Sequence, residues 1–481
     1  MGKRFTKIVA TLGPATPSAE AIEQVLAAGV DVARLNMSHG LQEEHALRIA
    51  AVRRAETRLS RPIAILQDLA GPKIRLGTFA PGGVSLVTGT EVTLVSDDGT
   101  PGSASRIPVS LFNLSRYLEP ETRVLIDDGR LRLQVTAMVP EGALCVVEEG
   151  GVVTDRKGIN LPDVSLDLPP LGAKDLDDLA FGVRHGVDFV GLSFVRSAGD
   201  IDLLRYHLAQ LGGAARIVAK IEKHEALDHI DDIIAQADAV MVARGDLGVE
   251  IPPELVPSRQ KEIIRKTVAA GKEVITATQM LESMVSNPVP TRAEASDVAN
   301  AVWDGTSAVM LSGETASGSY PVQSVTTMNR IVEAAEKDRP EGLAAWKGQN
   351  LPVREGGTGS PAAVSQAIAR AACELAAGLE AAAIVSPTQT GATARQVARY
   401  RPWIHVLAAT PSRDVWRHLA LTYGVTPAFV HQAEDTDGTI GLAVEAAMAQ
   451  GVAVSGDVLV VTCGARVNSP GTTNLIKVER A

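Results

Sequence analysis

Four short stretches carry side chains whose types and spacing could do chemistry at one place. AKIE sets Lys220 and Glu222 two residues apart, and ARGD ends in Gly245 and Asp246. RLNMSHG offers Arg34, Asn36 and Ser38 at alternate positions, and ATQ offers the Thr278 hydroxyl. Alternate residues of an extended strand share a face, so Lys220 and Glu222 are expected to point the same way, as are Arg34, Asn36 and Ser38. The two carboxylates Glu222 and Asp246 match the sparse set with which proteins hold Mg²⁺. The cations Arg34, Lys220 and, in QDLAGPKIR, Arg75 would neutralise charge spread over phosphoryl oxygens. Gly245 and Asp246 precede a helix-like stretch whose exposed N–H groups suit an anion. Singly each residue is ordinary, since a strand-end Lys is usually solvated and a lone acid is usually a cap. Together they point to metal-assisted phosphoryl transfer.

Something must bring these stretches to one rim. Eight short apolar runs recur with helix-like sequence between most of them: TKIVATLG, DVARLNMS, PIAILQDL, DFVGLSFV, RIVAKIE, AVMVARGD, EVITATQ and SAVMLSG. Eight alternating strand and helix units are the number that closes a (β/α)₈ TIM barrel, whose active site lies at the C-terminal ends of its strands. The polar residues above stand at such ends. The rhythm breaks between the third and fourth runs, where residues 71–167 read as alternating strands and are expected to form an inserted all-β lid, a small β-barrel. The barrel is then assigned to residues 1–70 and 168–340, about 243 residues, which fits a barrel of about 250. A Gly-, Pro- and charge-rich linker follows, and residues 356–481 read as a C-terminal α/β domain.

Composition agrees with an α/β class. Of the 481 residues, 45% are hydrophobic but only 3% are aromatic, so Ala, Val, Leu and Ile must fill the cores, as suits parallel sheets covered by helices. A net charge of -10 opposes binding to nucleic acid or anionic lipid and leaves local cations to attract small anions. No apolar run is long enough to cross a bilayer and the N-terminal stretch lacks a signal peptide's apolar segment, so a soluble cytoplasmic protein is expected. Three scattered cysteines argue against a disulfide framework or a cysteine zinc site. HEALDH (His224 to His229) spaces its histidines five apart instead of four, which puts them on different helix faces and reads as helix surface. Neither a Walker A loop nor a dinucleotide-binding glycine fingerprint is present.

The stretches TKIVATLGPAT, DVARLNMSHG, GPKIR, KGINLPD, AKIEKHEALDHIDDII, MVARGDLGVEIP, ATQMLESM, PTRAEASDVANAVWDGTSAVMLSGETASGSYP and TTNLIKV occur in order over nearly the whole chain. In them the sequence closely resembles pyruvate kinase of the bacterial type. The resemblance implies transfer of the phosphoryl group of phosphoenolpyruvate to ADP, giving ATP and an enolate that is protonated to pyruvate. It implies that Lys220 stabilises the phosphoryl, that Arg34 contacts phosphate, and that Glu222 and Asp246 hold Mg²⁺, with Mn²⁺ as a possible substitute. Gly245, Asp246 and Thr278 would take the substrate carboxylate, with a water near Thr278 as the expected proton donor. Arg75, Asn36 and His39, with Lys157 from the closing lid, would bind the nucleotide. A homotetramer is implied as well.

Two departures from the family pattern stand out. Family members that require K⁺ have Glu where this chain has Lys73, and hold the ion with the counterparts of Asn36, Ser38, Asp68 and the Leu69 carbonyl. Those residues remain here as a weak or vestigial site, and the resemblance to members with Lys73 implies that its ammonium replaces the ion and that K⁺ is dispensable. The alternative is a solvated Lys73 with K⁺ still bound. SPTQTGATARQ places Thr388, Thr390, Gly391 and Thr393 in a hydroxyl-rich loop similar to the family's effector loop. GVAVSG (451–456) lacks an Arg for the second phosphate of fructose 1,6-bisphosphate, so AMP or a sugar monophosphate is favoured as activator; a plain helix cap is the alternative. Two other functions stay open: a Mg²⁺-dependent lyase acting on phosphoenolpyruvate or pyruvate, and a non-catalytic regulatory homologue.

Overall fold

The computed structural model describes residues 4–162, 164–338, 360–464 and 473–481. The expected linker and the start of the C-terminal domain at 356 fall largely outside them. Among the described residues, eight parallel strands close a barrel: Lys7–Thr11, Val32–Asn36, Ala64–Asp68, Phe189–Leu192, Arg216–Ile221, Ala239–Ala243, Glu273–Ala277 and Ala308–Leu311. The ring closes where Lys7 to Ala10 pair with Ala308 to Leu311. Most of these strands are buried along their whole length, which is why they read as continuous apolar runs and do not alternate. One apolar layer lies between strands and outer helices; a second fills the barrel interior with Val9, Val32, Leu66, Phe189 and Met241. Ala420 and Leu421 of the C-terminal domain complete that interior layer from the N-terminal end of the strands.

The helices begin where local chemistry favours it. Arg292–Trp303 starts on a capping box in which Thr291 and Glu294 satisfy each other's backbone N–H groups. Pro321 opens the helix Pro321–Lys337, where its missing N–H costs nothing.

The insert is a six-stranded sheet with a two-stranded sheet beside it. Single bridges from Arg75 to Gly158 and from Leu76 to Val109 link the strands at its two edges, Ile159–Asn160 and Arg106–Val109, so the sheet nearly closes on itself. The chain enters the insert through Gly71, where φ is +70° and a Cβ would lie 2.9 Å from both Ser193 and Phe194. Only glycine suits that turn. The C-terminal domain carries a five-stranded sheet in the order Val425–Phe429, His405–Thr410, Ala383–Pro387, Val458–Gly464, Thr473–Arg480, the last strand antiparallel. No helix among the described residues is long and apolar enough to cross a membrane.

Candidate active site

The C-terminal rim of the barrel gathers three charged groups, Arg34, Lys220 and Glu222, around Asp68. This carboxylate ends the third strand and is fully buried. Arg34 Nε donates to its Oδ2 at 2.7 Å, and Lys220 Nζ lies 3.1 Å from its Oδ1. Lys220 also lies 2.8 Å from Glu222 Oε1 and donates to Ser193 Oγ at 2.8 Å, while the Ser193 hydroxyl donates to the Leu69 carbonyl at 2.7 Å. Arg34 is steadied from its other side by Thr11 Oγ1 at 2.9 Å, and Glu222 accepts from the Phe194 N–H at 2.8 Å.

These pairings set the protonation of the cluster. Burial works against the Lys220 ammonium, but Asp68 and then Glu222 outweigh it and hold its pKa above the ordinary lysine value. Burial would raise the Asp68 carboxyl, yet Lys220 and Arg34 bring it below the usual carboxylate range. Glu222 is raised, by burial first; Lys220 opposes the shift and the nearby charge of Asp246 adds to it. Lys220 is thus a fixed cation, and Glu222 is a carboxylate that gains from another positive charge.

Gly245 and Asp246 do not precede the next helix, as expected, but lie in the first turn of Arg244–Glu250. The Gly245 N–H donates to Thr278 Oγ1 at 2.9 Å, so the two groups expected to share a substrate carboxylate are paired with each other. Thr278 and Gln279 have φ of +68° and +54°, a strained turn for side chains other than glycine. Arg244 holds it, donating to the Thr278 carbonyl at 2.7 Å while paired with Asp297 at 2.7 Å. Lys73 Nζ stands 3.8 Å from Asp246 Oδ1, with its side chain passing over Gly158.

Other expected residues are placed differently. Strand two ends at Asn36, so Ser38 belongs to a turn and does not share a strand face with Arg34; its N–H donates to Asn36 Oδ1 at 3.1 Å. His39 is exposed beyond that turn. Lys157 pairs with Asp127 at 2.8 Å within the insert. Arg75 donates to the Arg156 carbonyl at 3.1 Å and sits on a segment bonded to Lys157 through Leu76 N–H. In the C-terminal domain Thr388 Oγ1 accepts from Gly391 N–H at 2.9 Å and Thr390 Oγ1 from Ala392 N–H at 3.4 Å. Thr393 is not a loop residue: it lies in the helix Ala392–Ala398, buried, its hydroxyl 2.7 Å from that of Thr473.

The residues that organise this rim but escaped the sequence reading are Thr11, Ser193, Phe194 and Arg244. Ser193 lies inside the fourth apolar run, DFVGLSFV, just past the strand Phe189–Leu192, and a hydroxyl at that place was the signal available. HEALDH is not plain helix surface either. Its helix breaks at His229, and His224 turns inward, Nδ1 3.5 Å from Glu250 Oε2. His224, Glu225 and Glu250 bring ligand-type atoms within 4.8 Å of one another, but the Lys223 ammonium already sits 2.7 Å from Glu250.

Comparison with known proteins agrees with the architecture. A family model described as "Pyruvate kinase, barrel domain" matches residues 3–325, and one described as "Pyruvate kinase, alpha/beta domain" matches residues 366–479. The chain is 44% identical to a pyruvate kinase of Clostridium acetobutylicum over 477 residues, 98% of this chain and 99% of that one. It is 44% identical to a pyruvate kinase of Geobacillus stearothermophilus and 43% identical to one of Bacillus licheniformis, each over 99% of this chain and 80% of the relative. With two family models covering barrel and C-terminal domain and full-length relatives at this identity, the chain belongs to the pyruvate kinase family of phosphotransferases.

Proposed function

We propose that the protein transfers the phosphoryl group of phosphoenolpyruvate to ADP, forming pyruvate and ATP at the rim around Lys220. The observation that carries this reading is the Lys220 ammonium held between Asp68, Glu222 and Ser193, a cation kept protonated where phosphoryl charge would develop. Arg34, braced by Asp68 and Thr11, presents a second cation to phosphate. Thr278 accepts from Gly245 and keeps its hydroxyl proton to donate to a substrate carboxylate, with the N–H groups of the helix start beside it. A water near Thr278 is the proposed proton donor to the enolate.

Glu222 and Asp246 fit a divalent cation, since both are hard carboxylate donors and burial, with the charge of Asp246 adding to it, raises Glu222. Mg²⁺ held there would supply positive charge to neutralise the transferring phosphoryl, and Mn²⁺ is the natural substitute. Asp68 is engaged by Arg34 and Lys220, the Leu69 carbonyl by Ser193, and Asn36 Oδ1 by the Ser38 N–H, while Lys73 approaches Asp246. These pairings support Lys73 as the resident positive charge and K⁺ as dispensable.

On the nucleotide side, Arg75, Lys157, Asn36 and His39 are proposed to meet ADP after the lid rotates toward the barrel, with Lys157 exchanging Asp127 for phosphate. Activation by AMP or a sugar monophosphate at Thr388 to Gly391 is proposed from the loop's hydroxyls and the positive φ of Gly391. A cytoplasmic homotetramer is the proposed working form. The test is formation of pyruvate from phosphoenolpyruvate, ADP and Mg²⁺, followed by coupling to lactate dehydrogenase. Absence of pyruvate would refute the assignment; release of pyruvate without ADP would favour the lyase.

A further inference from the structure

We infer that Glu250 is a positioning residue that couples lid orientation to the two carboxylate-bearing segments of the active site; this rests on the reading of Glu222 and Asp246 given above. Its carboxylate is 1% exposed, so both oxygens need partners. Oε1 accepts from Asn160 Nδ2 at 3.0 Å, and Oε2 from Lys223 Nζ at 2.7 Å. Asn160 lies on the last strand of the insert, Ile159–Asn160, from which the chain returns to the barrel. Lys223 follows Glu222 directly. Glu250 itself closes the seven-residue helix whose first turn carries Gly245 and Asp246.

Three separate segments therefore meet at one buried carboxylate. All three residues are at most 7% exposed. Rotation of the lid moves Asn160; Glu250 must follow or leave an oxygen unpaired, which is costly in a buried site. Movement of Glu250 carries the Asp246 helix from its far end and draws on Lys223 beside Glu222. When the lid rotates toward the barrel, Asn160 carries Glu250 with it, and the carboxylates reach the geometry for transfer in that rotated orientation. Because misplacement of about 1 Å can cost about 100-fold in rate, a link made outside the reacting centre is enough to gate it.

The test uses the full-length enzyme with Asn160→Ala, Glu250→Gln, Glu250→Ala and the double variant Asn160→Ala/Glu250→Ala. Steady-state kinetics and Mn²⁺ affinity by electron paramagnetic resonance are the readouts. Asn160→Ala is expected to lower kcat about 10-fold while leaving the phosphoenolpyruvate KM and Mn²⁺ affinity within about twofold, because the carboxylates remain but lose their link to the lid. Glu250→Ala should lower kcat about 100-fold and weaken Mn²⁺ binding, Glu250→Gln, which still accepts from Asn160 but loses the Lys223 ion pair, should lose less rate than Glu250→Ala, and the double variant should match Glu250→Ala. A parental kcat in Asn160→Ala, or effects of the two substitutions that multiply, would overturn the inference. Lys220→Met serves as the control: retained activity there sinks the reading of the site itself, whatever the network does.

Discussion

At the residue scale the rim is a set of charges that define one another. Lys220 is useful as a cation because Asp68 and Glu222 hold it protonated, and Asp68 is tolerated in the interior because Arg34 and Lys220 flank it. Lys220→Met should reduce phosphoryl transfer about 10³-fold, the scale of removing one preorganised charge-stabilising donor, while Mn²⁺ still binds at Glu222 and Asp246. An unchanged rate in the coupled assay refutes the role. Lys73→Glu should give a rate that rises severalfold when K⁺ replaces tetramethylammonium, and the parent's should not rise. Strong activation of the parent protein by K⁺ would show that Lys73 is not the substitute. Strand-end spacing nominated the candidates for this chemistry, and Lys220 with Glu222, 2.8 Å apart, behaved as a two-residue period requires. Ser38 did not, because strand two stops at Asn36 and the period stops with it.

At the element scale the site depends on how closely the barrel's layers approach. Gly182 lies on the helix Ala173–Arg184, and a Cβ there would come within 2.0 Å of Gln67 Oε1. Gln67 is buried and anchored to the Asp178 carbonyl on that helix, one residue before Asp68. Gly182→Ala should therefore destabilise the protein by about 1–3 kcal/mol, read as a lower unfolding midpoint in urea. A midpoint equal to the parent's would show that Gln67 moves aside freely. At the lid, a methyl on Gly158 would lie 2.6 Å from Lys73 Cε. Gly158→Ala should displace that ammonium and slow the reaction in K⁺-free buffer more than in K⁺.

At the scale of the whole molecule the barrel and C-terminal domain share a core, and their junction contains a pH-sensitive group. His418 packs edge-on to Phe189 of the fourth barrel strand, with ring centroids 5.5 Å apart. Burial first, then the charges of Arg216 and Arg395, depress its pKa to about 3. A folded pKa below the unfolded value of about 6.5 means that the stability of the neutral ring is fully present above pH 6.5 and is lost progressively as pH falls toward 3. The unfolding temperature should drop between pH 7 and pH 5 more steeply in the parent than in His418→Gln. Parallel slopes would exclude His418 as a source of acid lability.

The sequence by itself determined the eight-unit barrel, the interruption after strand three, the five strands of the last domain and the candidate rim residues. These follow from local periodicity and from runs long enough to identify a family. Only the tertiary structure decided which charges pair. Thr11, Ser193 and Asp68 come from three different strand ends, and Asn160, Lys223 and Glu250 from three separate segments, so their encounters depend on barrel closure and lid placement. The same reason explains the occupied hydroxyl of Thr393 and the Asp127 partner of Lys157. Periodicity specifies the face on which a side chain lies, whereas a buried charge takes its partner from whatever the closed fold brings within about 3 Å, because leaving it unpaired in the interior costs too much.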